Sequence, residues 1–165
     1  MQPTLIILRG NSGSGKTALA KNLQQYFGTD KCLLVQQDVL RREILHASDH
    51  PNTPAIDFIE TIVKFGYQHY PVVILEGILR KDVYGEMLIK LCKTFAPRVL
   101  VYYLDVSFET TLKFNVLKKT PFSESDLHSW WLDSDYLTNS DYKLNAVGTA
   151  NLRQQVITDY LKFKE

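Results

Sequence analysis

The sequence predicts a parallel α/β sandwich. Two observations carry that prediction. Short strand-like apolar runs alternate with longer segments in which apolar residues recur at helical spacing. The first of those runs breaks off into a glycine-rich turn, and a helix pattern follows directly. The chain has 165 residues, without internal repeats, low-complexity tracts or evident linkers, so residues 1–165 read as a single domain.

The first run, Leu5 to Leu8, is unbroken, as in a strand buried on both faces. Leu19, Leu23 and Phe27 then repeat at helical spacing. A second run covers Cys32 to Val35. The stretch HASDHPNTPAIDF, with two prolines and several small polar residues, reads as a loop, and a helix follows through Ile56, Ile59, Val63 and Tyr67. A third run spans Val72 to Leu75, and Leu88, Cys92 and Phe95 mark the next helix. A fourth spans Val99 to Leu104. Ser123 and Asp126 resemble a capping box, so a helix is expected to begin near Ser125. A weak fifth strand is expected near Tyr142 to Leu144, before a helix through Leu152, Val156 and Tyr160.

Composition excludes several classes. A net charge of +1, with Lys and Arg spread along the chain, gives little support to a nucleic-acid footprint. Cys32 and Cys92 sit in apolar segments and read as buried thiols, not as a disulfide framework. No apolar run is long enough to span a bilayer, and the N-terminus lacks a signal-peptide pattern, so a cytoplasmic protein is expected. His46, His50, His69 and His128 show no metal-ligand spacing.

The turn after the first strand reads GNSGSGKT. Gly10, Gly13 and Gly15 permit backbone angles that other residues reach only at a steric cost. They allow successive N–H groups to approach a ligand, and the following helix adds the positive end of its dipole. The spacing G-x-x-x-x-G-K-T is that of a phosphate-binding loop. Gly10, Asn11, Ser12, Gly13, Ser14, Gly15, Lys16 and Thr17 are therefore the expected nucleotide site. Lys16 would reach the β- and γ-phosphates, and Thr17 would ligate Mg²⁺. The bland alternative is a flexible Gly/Ser connection.

Ligands bind at the carboxyl ends of strands in such sheets, so polar residues there matter most. Asp38 follows the second strand, with Arg41 and Arg42 in the next helical turn. Asp38 can act as general base towards a substrate hydroxyl, and Arg41 can contact phosphate or an anionic substrate. Alternatively Asp38 is a helix N-cap and both arginines are solvated. Glu76 ends the third strand. It is a candidate to orient Mg²⁺ through water, or to face the substrate, with Arg80 nearby. Asp105 ends the fourth strand and reads as structural, as does Ser107, an expected helix cap. Residues 118–135 are expected to form a short lid, in which Lys118 and Lys119 would stabilise phosphoryl charge or simply be solvated. Of the adjacent Trp130 and Trp131, one is expected to pack inward while the other is more exposed.

The set GNSGSGKT, then QQDVLR after the second strand and LEGI after the third, resembles small P-loop kinases. The likeness is to the branch of chloramphenicol phosphotransferase and phage polynucleotide kinase, and more loosely to uridine-kinase-type enzymes. It implies a three-layer P-loop NTPase sandwich with a five-stranded parallel sheet ordered 2-3-1-4-5. It also implies ATP and Mg²⁺ as cofactors, Asp38 as the general base and Arg41 as a phosphate or substrate contact. This chain departs from the pattern in its lid, where lysines stand in place of arginines and no arginine occurs between Arg98 and Arg153. The leading expectation is an ATP-dependent kinase acting on a small hydroxyl-bearing molecule. A nucleotide-controlled switch protein and a polynucleotide 5′-hydroxyl kinase are the alternatives. No N-K-x-D guanine motif is present, and D-V-Y-G at Asp82 lies too far past the third strand to serve as a nucleotide motif. The acceptor and the oligomeric state are not readable.

Overall fold

The computed structural model describes residues 2–145 and 148–164. Five parallel strands form one sheet: β1 (Thr4–Arg9), β2 (Cys32–Gln36), β3 (Val72–Glu76), β4 (Val99–Leu104) and β5 (Tyr142–Leu144). Their order is β2-β3-β1-β4-β5, as the family resemblance implied. The helices are α1 (Lys16–Phe27), α2 (Ala55–His69), α3 (Lys81–Phe95), α4 (Phe108–Asn115), α5 (Glu124–Trp130) and α6 (Thr149–Leu161).

The unbroken apolar run of β1 is explained by two cores. Leu5 and Ile7 join one, with Ile59, Val63, Leu88 and Phe95 of α2 and α3. Ile6 and Leu8 join the other, with Leu19, Leu23, Val156 and Tyr160 of α1 and α6. Successive strand residues point to opposite faces, so a strand covered on both sides has no solvent-facing position. All six residues of β1 are buried, Arg9 included.

Register then sets the site. Leu8 pairs with Glu76, and Gln36 also pairs with Glu76. The carboxyl ends of β2, β3 and β1 therefore lie side by side, and the glycine loop leaves the sheet next to Glu76. α1 starts at Gly15, which is left-handed (φ 95°), and stops at Gly28, also at φ 95°, whose N–H closes on Gln24. Both glycines supply a positive φ that other residues disfavour.

Two boundaries differ slightly from the sequence reading. Ser123 caps α5 as expected, accepting from Asp126 N at 3.1 Å, so that the helix begins at Glu124. After β2 the chain makes a π-helical turn, Val39–Ile44, whose closing bond runs from Leu45 N to Leu40 O. Burial raises the thiol of Cys32 to about 12 and that of Cys92 to about 11, consistent with inert packing roles.

Candidate functional site

The glycine loop is held open by positive φ angles at Gly10, Gly13 and Gly15 (149°, 78° and 95°). A β-carbon on Gly10 would lie 2.9 Å from the Leu104 carbonyl oxygen, and one on Gly13 would lie 3.0 Å from that of Thr111. At Gly15 it would meet nothing within 4 Å, because this residue borders open space. That space is a cavity of about 510 Å³ lined by Ser12, Gly13, Gly15, Lys16, Thr17 and, across from them, Asp38, Glu76 and Lys118.

Not every loop residue faces the cavity. Asn11 and Ser14 are buried behind it. The Asn11 amide donates to Leu132 O (2.7 Å) and accepts from Leu132 N (2.8 Å), so its side chain ties the loop to the segment after α5. Ser14 N donates to Asn11 O, and Ser14 Oγ accepts from Lys16 Nζ at 3.3 Å. Gly10 likewise lies against β4. The sequence reading includes these three in the nucleotide site; the structure places the side chains of Asn11 and Ser14 in the loop's own hydrogen bonds, away from the cavity. Lys16 Nζ also donates to Asn11 O at 2.7 Å. Burial lowers the Lys16 ammonium to about 8, against the upward pull of Glu76 and Asp38.

Thr17 Oγ1 donates to Glu76 Oε1 at 3.0 Å, and Gln36 Nε2 donates to the same oxygen at 2.9 Å. A hydroxyl and a buried carboxylate, both hard oxygen donors, thus meet at the mouth of the phosphate loop. That donor set fits Mg²⁺, which takes one or two protein oxygens and completes its shell with phosphate and water. Among the described residues no cluster of three or more His, Cys, Asp or Glu forms a cage of its own.

Asp38 precedes the π-helical turn, and its side chain makes no capping bond. The N-cap alternative is therefore not what its carboxylate does. Arg41 Nη2 lies 3.5 Å from Asp38 Oδ1, and Arg42 Nε lies 3.8 Å from the same atom. Asp38 borders the phosphate cavity and also a second cavity of about 370 Å³, lined by Arg41, Arg42, Asp49, Arg80 and Trp130. The two cavities share Ser12, Asp38, Ile78 and Phe122.

The second cavity has a built floor. Arg41 is buried; its Nη1 donates to Ala47 O, and its Nε has no hydrogen-bond partner. Asp49 Oδ1 lies 3.9 Å from that Nε, too far for a hydrogen bond. Asp49 Oδ1 is held by Tyr84 Oη (2.6 Å), whose phenol is raised chiefly by burial. Arg80 forks onto Asp82 through Nε and Nη2 and still borders the cavity. Gln37, fully buried, accepts from Leu79 N at 2.9 Å and packs on Gly77, where a β-carbon would lie 2.6 Å from its own.

The segment expected to form a lid brings Lys118 to the phosphate cavity but not its neighbour. Lys118 borders the phosphate cavity with its Nζ 4.7 Å from the Phe122 ring, and burial lowers its ammonium, while Asp38 pulls it the other way. Lys119 is exposed and borders neither cavity. Trp130 forms the outer wall of the second cavity; Trp131 packs edge-on against Phe108. Asp105 accepts from Tyr136 Oη, a structural bond in line with the sequence reading.

Arg9, Gln37, Asp49, Asn115 and Phe122 were not singled out as site residues in the sequence. Arg9 had the one visible signal, a charge ending a buried strand. Its fully buried guanidinium donates to Leu79 O and to both the carbonyl and the carboxylate of Asp135.

The chain has known counterparts. The model of the Zeta toxin family matches residues 1–112. This chain belongs to that family. No curated protein matches it. Solved structures match over nearly the whole chain, at identities that speak for the fold alone. The Mycobacterium tuberculosis APS kinase in complex with AMPPNP and APS is 14% identical, with a TM-score of 0.71 over 98% of each chain. A putative kinase from Chloroflexus aurantiacus is 20% identical, with a TM-score of 0.70 over 98% of each chain. The shikimate kinase of Acinetobacter baumannii in complex with shikimate is 18% identical, with a TM-score of 0.61 over 98% of this chain and 95% of that one. The family member described here therefore has the fold of small-molecule P-loop kinases. Among the described residues no helix is long and apolar enough to cross a membrane.

Proposed function

We propose that this protein is a phosphotransferase that moves the γ-phosphoryl group of Mg-ATP to a hydroxyl of a small anionic molecule. One observation carries the reading: the Asp38 carboxylate stands at the seam of two cavities, uncommitted to a helix cap, with a phosphate loop on one side and arginines on the other. The motif likeness to the chloramphenicol phosphotransferase and polynucleotide kinase branch supports the same assignment. All 165 residues are read as one domain of the cytoplasm, with residues 118–135 as its lid.

In this reading Ser12, Gly13, Gly15 and Lys16 bind the polyphosphate, and Thr17 with Glu76 holds Mg²⁺. When bound, that ion neutralises phosphate charge and sets the tail in line. Asp38 accepts the proton of the attacking hydroxyl, with Arg41 and Arg42 beside its carboxylate to aim it. Arg41, whose buried Nε has no partner among the described residues, takes the anionic group of the acceptor, with Arg80 at the rim. Lys118 supplies lid charge to the transferring group. Lys119 is left out of the site.

The test is ATP turnover against a library of hydroxyl compounds, neutral and anionic. Turnover should rise with an anionic acceptor, and Asp38→Asn should abolish the rise while Mg-ATP still binds. Turnover that never responds to an acceptor would favour a nucleotide-controlled switch. Salt-sensitive binding of oligonucleotides would favour a polynucleotide acceptor.

A further inference from the structure

Phe122 is one of the four residues that border both cavities. Its backbone is fixed from both sides by one side chain. Asn115 Nδ2 donates to Phe122 O at 2.8 Å, and Phe122 N donates to Asn115 Oδ1 at 3.0 Å. Asn115 is itself buried at the end of α4, so the clamp is anchored in the body of the protein. The ring carries a cation from each cavity. Lys118, which borders only the phosphate cavity, has its Nζ 4.7 Å from the ring centroid. Arg42, which borders only the second cavity, has its guanidinium carbon at 5.7 Å. Trp130 meets the ring edge-on at 5.0 Å. The loop residues around it are exposed, with Leu117 at 81%, whereas Phe122 is half-buried at the seam.

We propose that Phe122 is a positioning residue that screens the transfer point from water and spaces Lys118 and Arg42 about it, with Asn115 holding it there. The proposal rests on the phosphotransfer reading. Asp38 lies at the same seam, and a base poised for a substrate hydroxyl would serve water as well. A water oxygen would bond to the γ-phosphorus, the bond to the bridging oxygen would break, ADP would leave, and the proton would pass through Asp38 to solvent. An apolar ring bordering the same two cavities as Asp38 would leave such a water less room and no polar partner on that side. The stacked cations add directional contacts that keep the ring upright. A lid whose loop tip is solvated still presents a fixed apolar wall, because the asparagine clamp, and not the tip, sets its position.

The experiment compares hydrolysis of Mg-ATP without any acceptor, and Mg-ADP affinity by calorimetry, in the parent and in Phe122→Ala, Phe122→Leu and Asn115→Ala. Phe122→Ala should raise the hydrolysis rate about fivefold, with Mg-ADP affinity within about twofold of the parent. Phe122→Leu should restore most of the low rate, because apolar bulk is retained. Asn115→Ala should raise the rate as well, and it decides the matter if Phe122→Ala does not fold. Hydrolysis unchanged or lowered in Phe122→Ala with binding intact overturns the proposal alone, as does a Leu variant no better than Ala. A parent that binds no Mg-ATP overturns the phosphotransfer reading and this proposal with it.

Discussion

Thr17 and Glu76, 59 positions apart in the chain, meet through a 3.0 Å hydrogen bond at the mouth of the glycine loop. Strand register makes the meeting obligatory, because β1 delivers the loop beside the last residue of β3. If these two oxygens hold Mg²⁺, Glu76→Gln should lower nucleotide affinity about tenfold or more in magnesium and little in its absence. Calorimetry with and without a chelator separates the two. An equal loss in both conditions would assign Glu76 a purely structural role.

Lys16 gives a pH dependence. Its ammonium is depressed to about 8 in the free protein, while bound polyphosphate would restore the charge. Below pH 8 the group is protonated in both states. Above pH 8 binding must take up a proton, so affinity should fall by about tenfold per pH unit until the bound form also titrates. The same depression has a stability consequence of the opposite sign. Between about 8 and the ordinary 10.5 the unfolded chain holds more protons, so the free protein should gain stability as pH rises through that window. Lys16→Met should flatten both curves, read from Mg-ADP titrations and urea denaturation across pH 7 to 10.5.

What the sequence revealed follows a physical divide. The central strand β1 was legible because burial on both faces leaves a run of apolar residues, whereas the edge strand β5, with Tyr142 and Lys143 exposed, gave only a weak signal. Asp38 and Glu76 were legible because strand ends are where such sheets bind ligands. The π-helical turn was not, since a bond from residue i to i−5 carries no residue signature. Arg41 and Arg42 both approach one Asp38 carboxylate oxygen, at the i+3 and i+4 spacings that any helical turn brings to one side. Gln37 was invisible because its role, filling the space above Gly77, exists only once β2 and β3 pair. The two lid lysines looked equivalent, and only the course of the turn separates Lys118 from Lys119.

Arg9 shows how a buried charge is tolerated. Burial lowers its basicity, and Asp135 and Asp141 oppose that effect. Asp135→Ala would leave the guanidinium without its anion while also freeing Lys81 N, which donates to the same carboxylate at 3.0 Å. Denaturant unfolding should show a loss of about 3 kcal/mol. A double variant, Arg9→Met with Asp135→Ala, should lose less than the sum of its parts, because the stranded charge is gone. Strict additivity would mean that the two side chains do not share a network.

Asn11 ties the phosphate loop to Leu132, which also borders the second cavity. The span is 121 positions, so both hydrogen bonds form only when the segment after α5 docks. Asn11→Ala removes a donor and an acceptor at once and leaves two backbone groups to find water. A loss of about 1–3 kcal/mol in global stability is expected. The more telling readout is local. The Leu132 amide should exchange with solvent faster in Asn11→Ala, by more than global destabilisation accounts for, while amides within β1 change only with global stability. Unchanged relative protection at Leu132 would show that Arg9 and Asp135 alone hold this segment to the loop.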